Sequence, residues 1–180
     1  MSVHQPLVWH PVPVTASTDI RWWLLHRDSL TRLLQLRCRK FSVDPVFQSL
    51  APVCADELAV MNLRRSELAL VREVYLYCGN TPVVFAHSVV ARKHLQGAWR
   101  GLSRLGNRSL GTMLFTNPLI ERAEFGYKKL NVHHPHYKQA CRRLRSHPVN
   151  LWARRSRFTL YGQPILVTEV FLPAILELTI

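Results

Sequence analysis

The pattern of hydrophobic and polar positions reads most clearly as strand in two stretches of this chain. Leu68 to Cys78 and Val83 to Val90 are rich in Val, Tyr and Leu, and Gly79-Asn80-Thr81-Pro82 between them predicts a hairpin. A second hairpin is predicted from Trp152 to Leu160, the turn Tyr161-Gly162-Gln163-Pro164 and Ile165 to Leu172. Phe41 to Leu50 alternates loosely and reads as an edge strand bent at Pro45, and Leu119 to Leu130 reads as a further strand. Helical spacing appears over Ile20 to Leu25, behind a cap at Ser17 or Thr18. It returns after Asp28, where Leu30, Leu33, Leu34 and Cys38 share a face. Short helices are predicted over Ala98–Leu105 and Leu110–Phe115, separated by Gly106-Asn107. Hairpin-linked strands with helices set apart from them imply an antiparallel sheet of α+β class.

Three segments break the pattern. Met1 to Ser17 holds Pro6, Pro11 and Pro13 and reads as an extended N-terminal arm, which leaves 18–180 as one domain. Ala51 to Ser66 follows neither period. Asn131 to His147 is polar, basic and histidine-rich, and reads as a loop outside the core.

The chain has 180 residues, 48% hydrophobic and 19% charged, which is a globular balance and not a disordered one. No apolar run approaches the roughly 18 residues of a membrane span, and the N-terminus lacks the pattern of a signal peptide. Cys38, Cys54, Cys78 and Cys141 are irregularly spaced, so a disulfide framework or a zinc motif is not expected, and a reducing cytoplasm suits them. His133, His134, His136 and His147 match no structural zinc spacing. The net charge of +13 is compatible with a solvated basic face, with nucleic-acid binding, or with a field that attracts a small anion. The arginines are not interleaved with an aromatic stacking platform, which disfavours nucleic acid. Phosphate-binding glycine motifs are absent, and neither Ser109 nor Ser156 has an evident base.

Two charged residues stand on apolar strand faces. Glu169 shares a face with Ile165, Val167 and Phe171, and no other carboxylate side chain lies between Glu124 and Glu177 although nine lysines and arginines do. Arg72 shares a face with Leu70, Val74 and Leu76, while Glu73 points to the other side. Each needs an opposite partner, because a lone buried charge costs several kcal/mol, roughly. Either they pair with one another or a ligand lies between them. The segment Leu105 to Gly111 also precedes a helix start, where backbone N–H groups can receive an anion.

Four segments taken together resemble the chorismate lyases: Asp28-Ser29-Leu30-Thr31, Val71-Arg72-Glu73-Val74, Ser109-Leu110-Gly111-Thr112-Met113-Leu114-Phe115, and Leu151-Trp152-Ala153-Arg154-Arg155-Ser156-Arg157 running to Thr168-Glu169-Val170-Phe171-Leu172-Pro173. The resemblance covers roughly residues 20 to 173. It implies one α+β domain, with a sheet of about six antiparallel strands and helical flaps over an internal ligand site. It also implies conversion of chorismate to 4-hydroxybenzoate and pyruvate for ubiquinone synthesis, by a cytoplasmic monomer that needs neither metal nor cofactor. Arg72 would hold a ligand carboxylate and Glu169 the ring hydroxyl, as base or as orienting group. Leu30 and Leu110 would contribute backbone contacts, and Arg155 is a candidate for the second carboxylate. The same fold resembles the effector-binding domains of GntR-type regulators, so a non-catalytic aromatic-acid binder is the alternative. Such regulators carry a winged helix-turn-helix, for which the residues before the first helix leave no room.

Overall fold

The computed structural model describes residues 8–178. Its helices are α1 (Thr18–Leu25), α2 (Leu30–Arg37), α3 (Ala55–Leu58), α4 (Leu110–Thr116) and α5 (Pro135–Cys141). Its strands are β1 (Phe41–Ala51), β2 (Ala69–Cys78), β3 (Thr81–Ala91), β4 (Glu121–Arg122), β5 (Gly126–Leu130), β6 (Leu151–Leu160) and β7 (Gln163–Phe171). They form one antiparallel sheet in the order β1-β2-β3-β7-β6-β4, with β5 also paired to β6. The α+β class expected from the hairpins is therefore the observed one. The predicted strand over Leu119 to Leu130 is split, because β4 and β5 pair with different stretches of β6.

Register decides what each face carries. β6 and β7 are joined through Tyr161 and Gly162, both at positive φ (50° and 73°), and Leu160 pairs with Gln163. The turn thus has two residues and not four, so Arg154 lies opposite Glu169 and Arg155 opposite Thr168. Arg72 lies opposite Ser88, and Glu169 opposite Ala86. Arg72, Ser88, Ala86, Glu169 and Arg154 consequently share one face; Glu73, His87, Thr168 and Arg155 share the other. The β1 register shifts between Pro45 and Phe47, which is the bend anticipated at Pro45.

Both faces are covered. On the first, α1 and α2 pack Trp23, Leu24 and Leu34 against Val74, Val84 and Phe171. Farther along, α4 and the turns before it pack Trp99, Leu102, Leu105 and Leu114 against Leu70, Val90 and Ile165. On the second face α5 packs Tyr137 and Ala140 against Tyr75, Phe85 and Val170. The expected loop over Asn131 to His147 is corrected here: Pro135 at the start of α5 fits a first-turn position, and His134, His136 and Tyr137 are buried. Of the expected arm 1–17, residues 1–7 lie outside the described residues. Beyond them, His10 bridges to Tyr127, and Trp9 donates its indole N–H to Asp56 at 2.7 Å. The cysteine expectation is corrected as well. Cys38 just after α2 and Cys78 at the end of β2 form a disulfide, because the fold brings together residues that their spacing keeps apart.

Candidate functional site

The two packed clusters on the first face leave a cavity between them. Its floor is the sheet, with Arg72, Val74, Leu76, Ala86, Ser88, Val167, Glu169, Arg154 and Ser156, and its roof is Leu30, Thr31, Leu110 and Leu114 from α2 and α4. Ser29 and Ser109 cap these two helices by accepting from Arg32 N–H and Thr112 N–H. The Thr31 and Ser109 hydroxyls are 2.6 Å apart, which ties the two helix starts together. Gly111 makes this approach possible, since a Cβ there would stand 2.7 Å from the Thr31 hydroxyl. Leu30 and Leu110 are the first residues of their helices, where backbone N–H groups have no intrahelical acceptor.

Arg72 is 3% exposed. Its Nη2 donates to the carbonyls of Gly106 (2.9 Å) and Arg108 (3.3 Å), holding the loop that leads into α4. Its Nε is buried and makes no hydrogen bond among the described residues. Burial lowers the Arg72 pKa from its usual value, yet a guanidinium starts so high that it stays charged. The floor therefore holds a positive group with a free donor and no carboxylate on it.

Glu169 is not that missing carboxylate. From ordinary sheet spacings, two strands and two residues separate it from Arg72, about 12 Å between Cα atoms. Its Oε2 accepts from Arg154 Nε at 2.5 Å, and its other oxygen has no hydrogen bond among the described residues. Arg154 is 1% exposed. Its Nη1 donates to the carbonyls of Trp23, Leu24 and His26 at the C-terminus of α1 (3.1, 3.2 and 2.6 Å), where a cation complements the helix dipole. The direct Arg72–Glu169 pair is thus excluded. Arg154 was missed because a four-residue turn puts Ser156 opposite Glu169, whereas a two-residue turn puts Arg154 there.

Arg155 is not at the cavity. One residue on from Arg154, it points to the second face, donates to the Asp56 carbonyl at 3.0 Å and lies 4.4 Å from the Trp9 ring centre. The reading of Arg155 as a cavity residue is corrected by this alternation. Another cation lines the cavity near Glu169 instead. Arg122 lies over the rings of Phe115, Phe125 and Phe158, 4.5 to 5.9 Å from their centres, with no ion pair among the described residues. Burial lowers its pKa first, and neighbouring Arg154 adds to that. No periodicity marked Arg122, since β4 is only two residues long.

The second face carries acids for its cations. Asp56 lies 3.6 Å from Lys128, 3.5 Å from His134 and 3.7 Å from Arg155. Burial would raise its pKa, but hydrogen bonds from His134 and Trp9 hold it below the usual carboxylate range. Glu57 lies between His87 and His136, which outweigh burial and keep its carboxyl well below its ordinary value. His87 moves the other way: burial opposes its charge, but Glu57 and Glu73 push it up to about 9.

Comparison with known proteins now decides the family. The chorismate lyase family model matches residues 5–179. The chain belongs to the chorismate lyase family. It is 68% identical over 179 residues to the probable chorismate pyruvate-lyase of Nitrosospira multiformis, with 99% of each chain covered. It is 66% identical over 178 residues to the probable chorismate pyruvate-lyase of Nitrosomonas eutropha, covering 99% of this chain and 100% of that one. Among solved structures, the effector domain of PhnF from Mycobacterium smegmatis matches with a TM-score of 0.56 at 9% identity, over 83% of this chain and 91% of that one. At that identity the likeness concerns the fold alone.

Proposed function

We infer that the protein is a chorismate lyase, which eliminates pyruvate from chorismate to leave 4-hydroxybenzoate for ubiquinone synthesis. The observation that carries this reading, beyond membership of the family, is the buried Arg72 with its unpartnered Nε at the floor of a cavity that holds no acid for it. The ring carboxylate of chorismate supplies that acid, in the planar geometry a guanidinium favours. The apolar walls of Val74, Leu76 and Leu114 flank the ring. Glu169, two strands away, meets the C4 hydroxyl with the oxygen that Arg154 does not use. The Leu30 and Leu110 backbone N–H groups face the ligand from the roof. Arg122 takes the role first considered for Arg155 and receives the carboxylate of the enolpyruvyl group.

The chemistry is a loss of two groups across one ring bond. The C4–H bond and the C3–O bond break, the electrons of C4–H become the new C3–C4 π bond, and those of C3–O leave with the enolpyruvyl oxygen. The hydrogen ends on the methylene carbon of that fragment, which becomes the methyl of pyruvate. The protein contributes by holding both carboxylates so that the C4 hydrogen and the leaving group are aligned, and by placing fixed positive charge where the departing oxygen becomes negative. Arg154 keeps Glu169 anchored as a hydrogen-bond acceptor, which favours orientation of the C4 hydroxyl over removal of the proton.

Incubation of the pure protein with chorismate tests the reading. Equal amounts of 4-hydroxybenzoate and pyruvate are expected, with or without EDTA. Binding of 4-hydroxybenzoate with no turnover would instead establish a non-catalytic receptor. Glu169→Gln separates the two roles of that residue: a rate within about tenfold of the parent fits orientation, whereas loss of the 10²–10⁴-fold, roughly, that a general base supplies would make it the base.

A further inference from the structure

The second face of the sheet holds a cluster that the lyase reaction does not use. Glu57 Oε1, His87 Nε2 and His136 Nε2 are all buried, and none of the three makes a hydrogen bond among the described residues. Yet the two nitrogens stand 3.2 and 3.3 Å from that one oxygen. Three potential ligand atoms thus converge on one small volume. Ligand atoms bound about 2.0–2.1 Å from a tetrahedral centre are separated by about 3.3 Å. Cys54 completes the set: its Sγ and the donor atoms of Glu57 and His136 all lie within 4.8 Å of one another.

We propose that Cys54, Glu57 and His136 form a buried site for a divalent metal of the zinc type, with His87, whose Nε2 is 3.2 Å from Glu57 Oε1, drawn in as fourth ligand when the ion binds. Sulfur, two imidazoles and one carboxylate suit zinc in both softness and number. A Cys54 thiolate and the Glu57 carboxylate cancel the two positive charges of the ion, so the buried site is neutral as a whole. The surrounding contacts are those that orient ligands. Glu73 Oε1 lies 3.1 Å from His87 Nδ1, which fixes that nitrogen as the protonated one and turns Nε2 to the metal. Glu57 Oε2 accepts from Cys54 N–H at 2.9 Å, leaving Oε1 for coordination. The ligands come from α3, β3 and α5, so the ion would fasten both covering helices to the sheet. The role is structural, since the His87 side chain and the cavity lie on opposite faces.

The test is metal analysis and cobalt substitution of the full chain. Mass spectrometry of the purified, dialysed protein is expected to find one zinc per chain. After chelation and refilling with cobalt, a thiolate-to-cobalt charge-transfer band and the visible bands of tetrahedral cobalt are expected. Cys54→Ser should remove the charge-transfer band, and Glu73→Gln should weaken metal affinity about 10- to 100-fold. If a variant does not fold, the parent's cobalt spectrum still decides the matter, because the charge-transfer band by itself reports a sulfur ligand. Absence of stoichiometric metal, or a cobalt spectrum without that band, overturns the proposal. Chorismate turnover is read separately, so either reading can fail without the other.

Discussion

The two faces of one sheet handle buried charge in opposite ways. On the face toward α5, Asp56 and Glu57 are surrounded by Lys128, Arg155, His87, His134 and His136, and Glu73 supports His87 from the strand. On the face toward α2 and α4, Arg154 is satisfied by Glu169 and the end of α1, while Arg72 and Arg122 have no carboxylate among the described residues. On the face toward α5 every buried acid among the described residues has cations beside it; on the face toward α2 and α4, two cations have no acid beside them, and a dianionic ligand supplies what they lack.

Arg154 is where breaking that contrast costs most. Arg154→Met strands Glu169 and three helix-end carbonyls, and removal of one partner of a buried pair costs about 3–5 kcal/mol. At about 2–4 °C per kcal/mol for a chain of this size, a fall in Tm on the order of 10 °C is expected by calorimetry. Arg72→Ala removes the open cation: kcat/KM for chorismate should fall about 10²–10³-fold, from about 3–4 kcal/mol of lost ligand interaction, with the circular dichroism spectrum retained. Arg122→Met should be milder, with KM raised on the order of tenfold, because rings flank it and solvent is nearer. Arg155→Met is the sharpest control and the smallest effect, a kcat/KM within about twofold of the parent despite its position beside Arg154. A large loss of activity in Arg155→Met would mean that the two faces are not functionally separate.

Much of the fold could be read from the chain because strands covered on both faces are runs rich in β-branched, aromatic and other apolar residues. The Leu68–Cys78 and Ile165–Leu172 segments show it, and Arg72 and Glu169 stood out as exceptions to it. That Arg154, and not Ser156, stands directly opposite Glu169 could not be read that way, since it depends on whether the turn has two residues or four. Tyr161 at positive φ is not a residue one selects for such a turn from its type alone. The second face was hidden for a different reason. Asp56, Glu57, His134 and His136 are buried by pairing with each other, and in a hydropathy pattern such residues look the same as solvated ones. Their partners lie far away in sequence, so neither segment showed why it was polar.

The turn at Tyr161-Gly162 carries a consequence for how this chain can change. Most surface connections accept inserted residues in any number. Here a single inserted residue that shifted the pairing of one strand would exchange the faces of every side chain beyond it, moving Arg155 into the cavity and Arg154 out of it. Length variation at this turn is therefore compatible with the site only in steps of two residues, or with a bulge that restores the original phase. A library of insertions at Gly162 scored for chorismate turnover would show that odd–even rhythm.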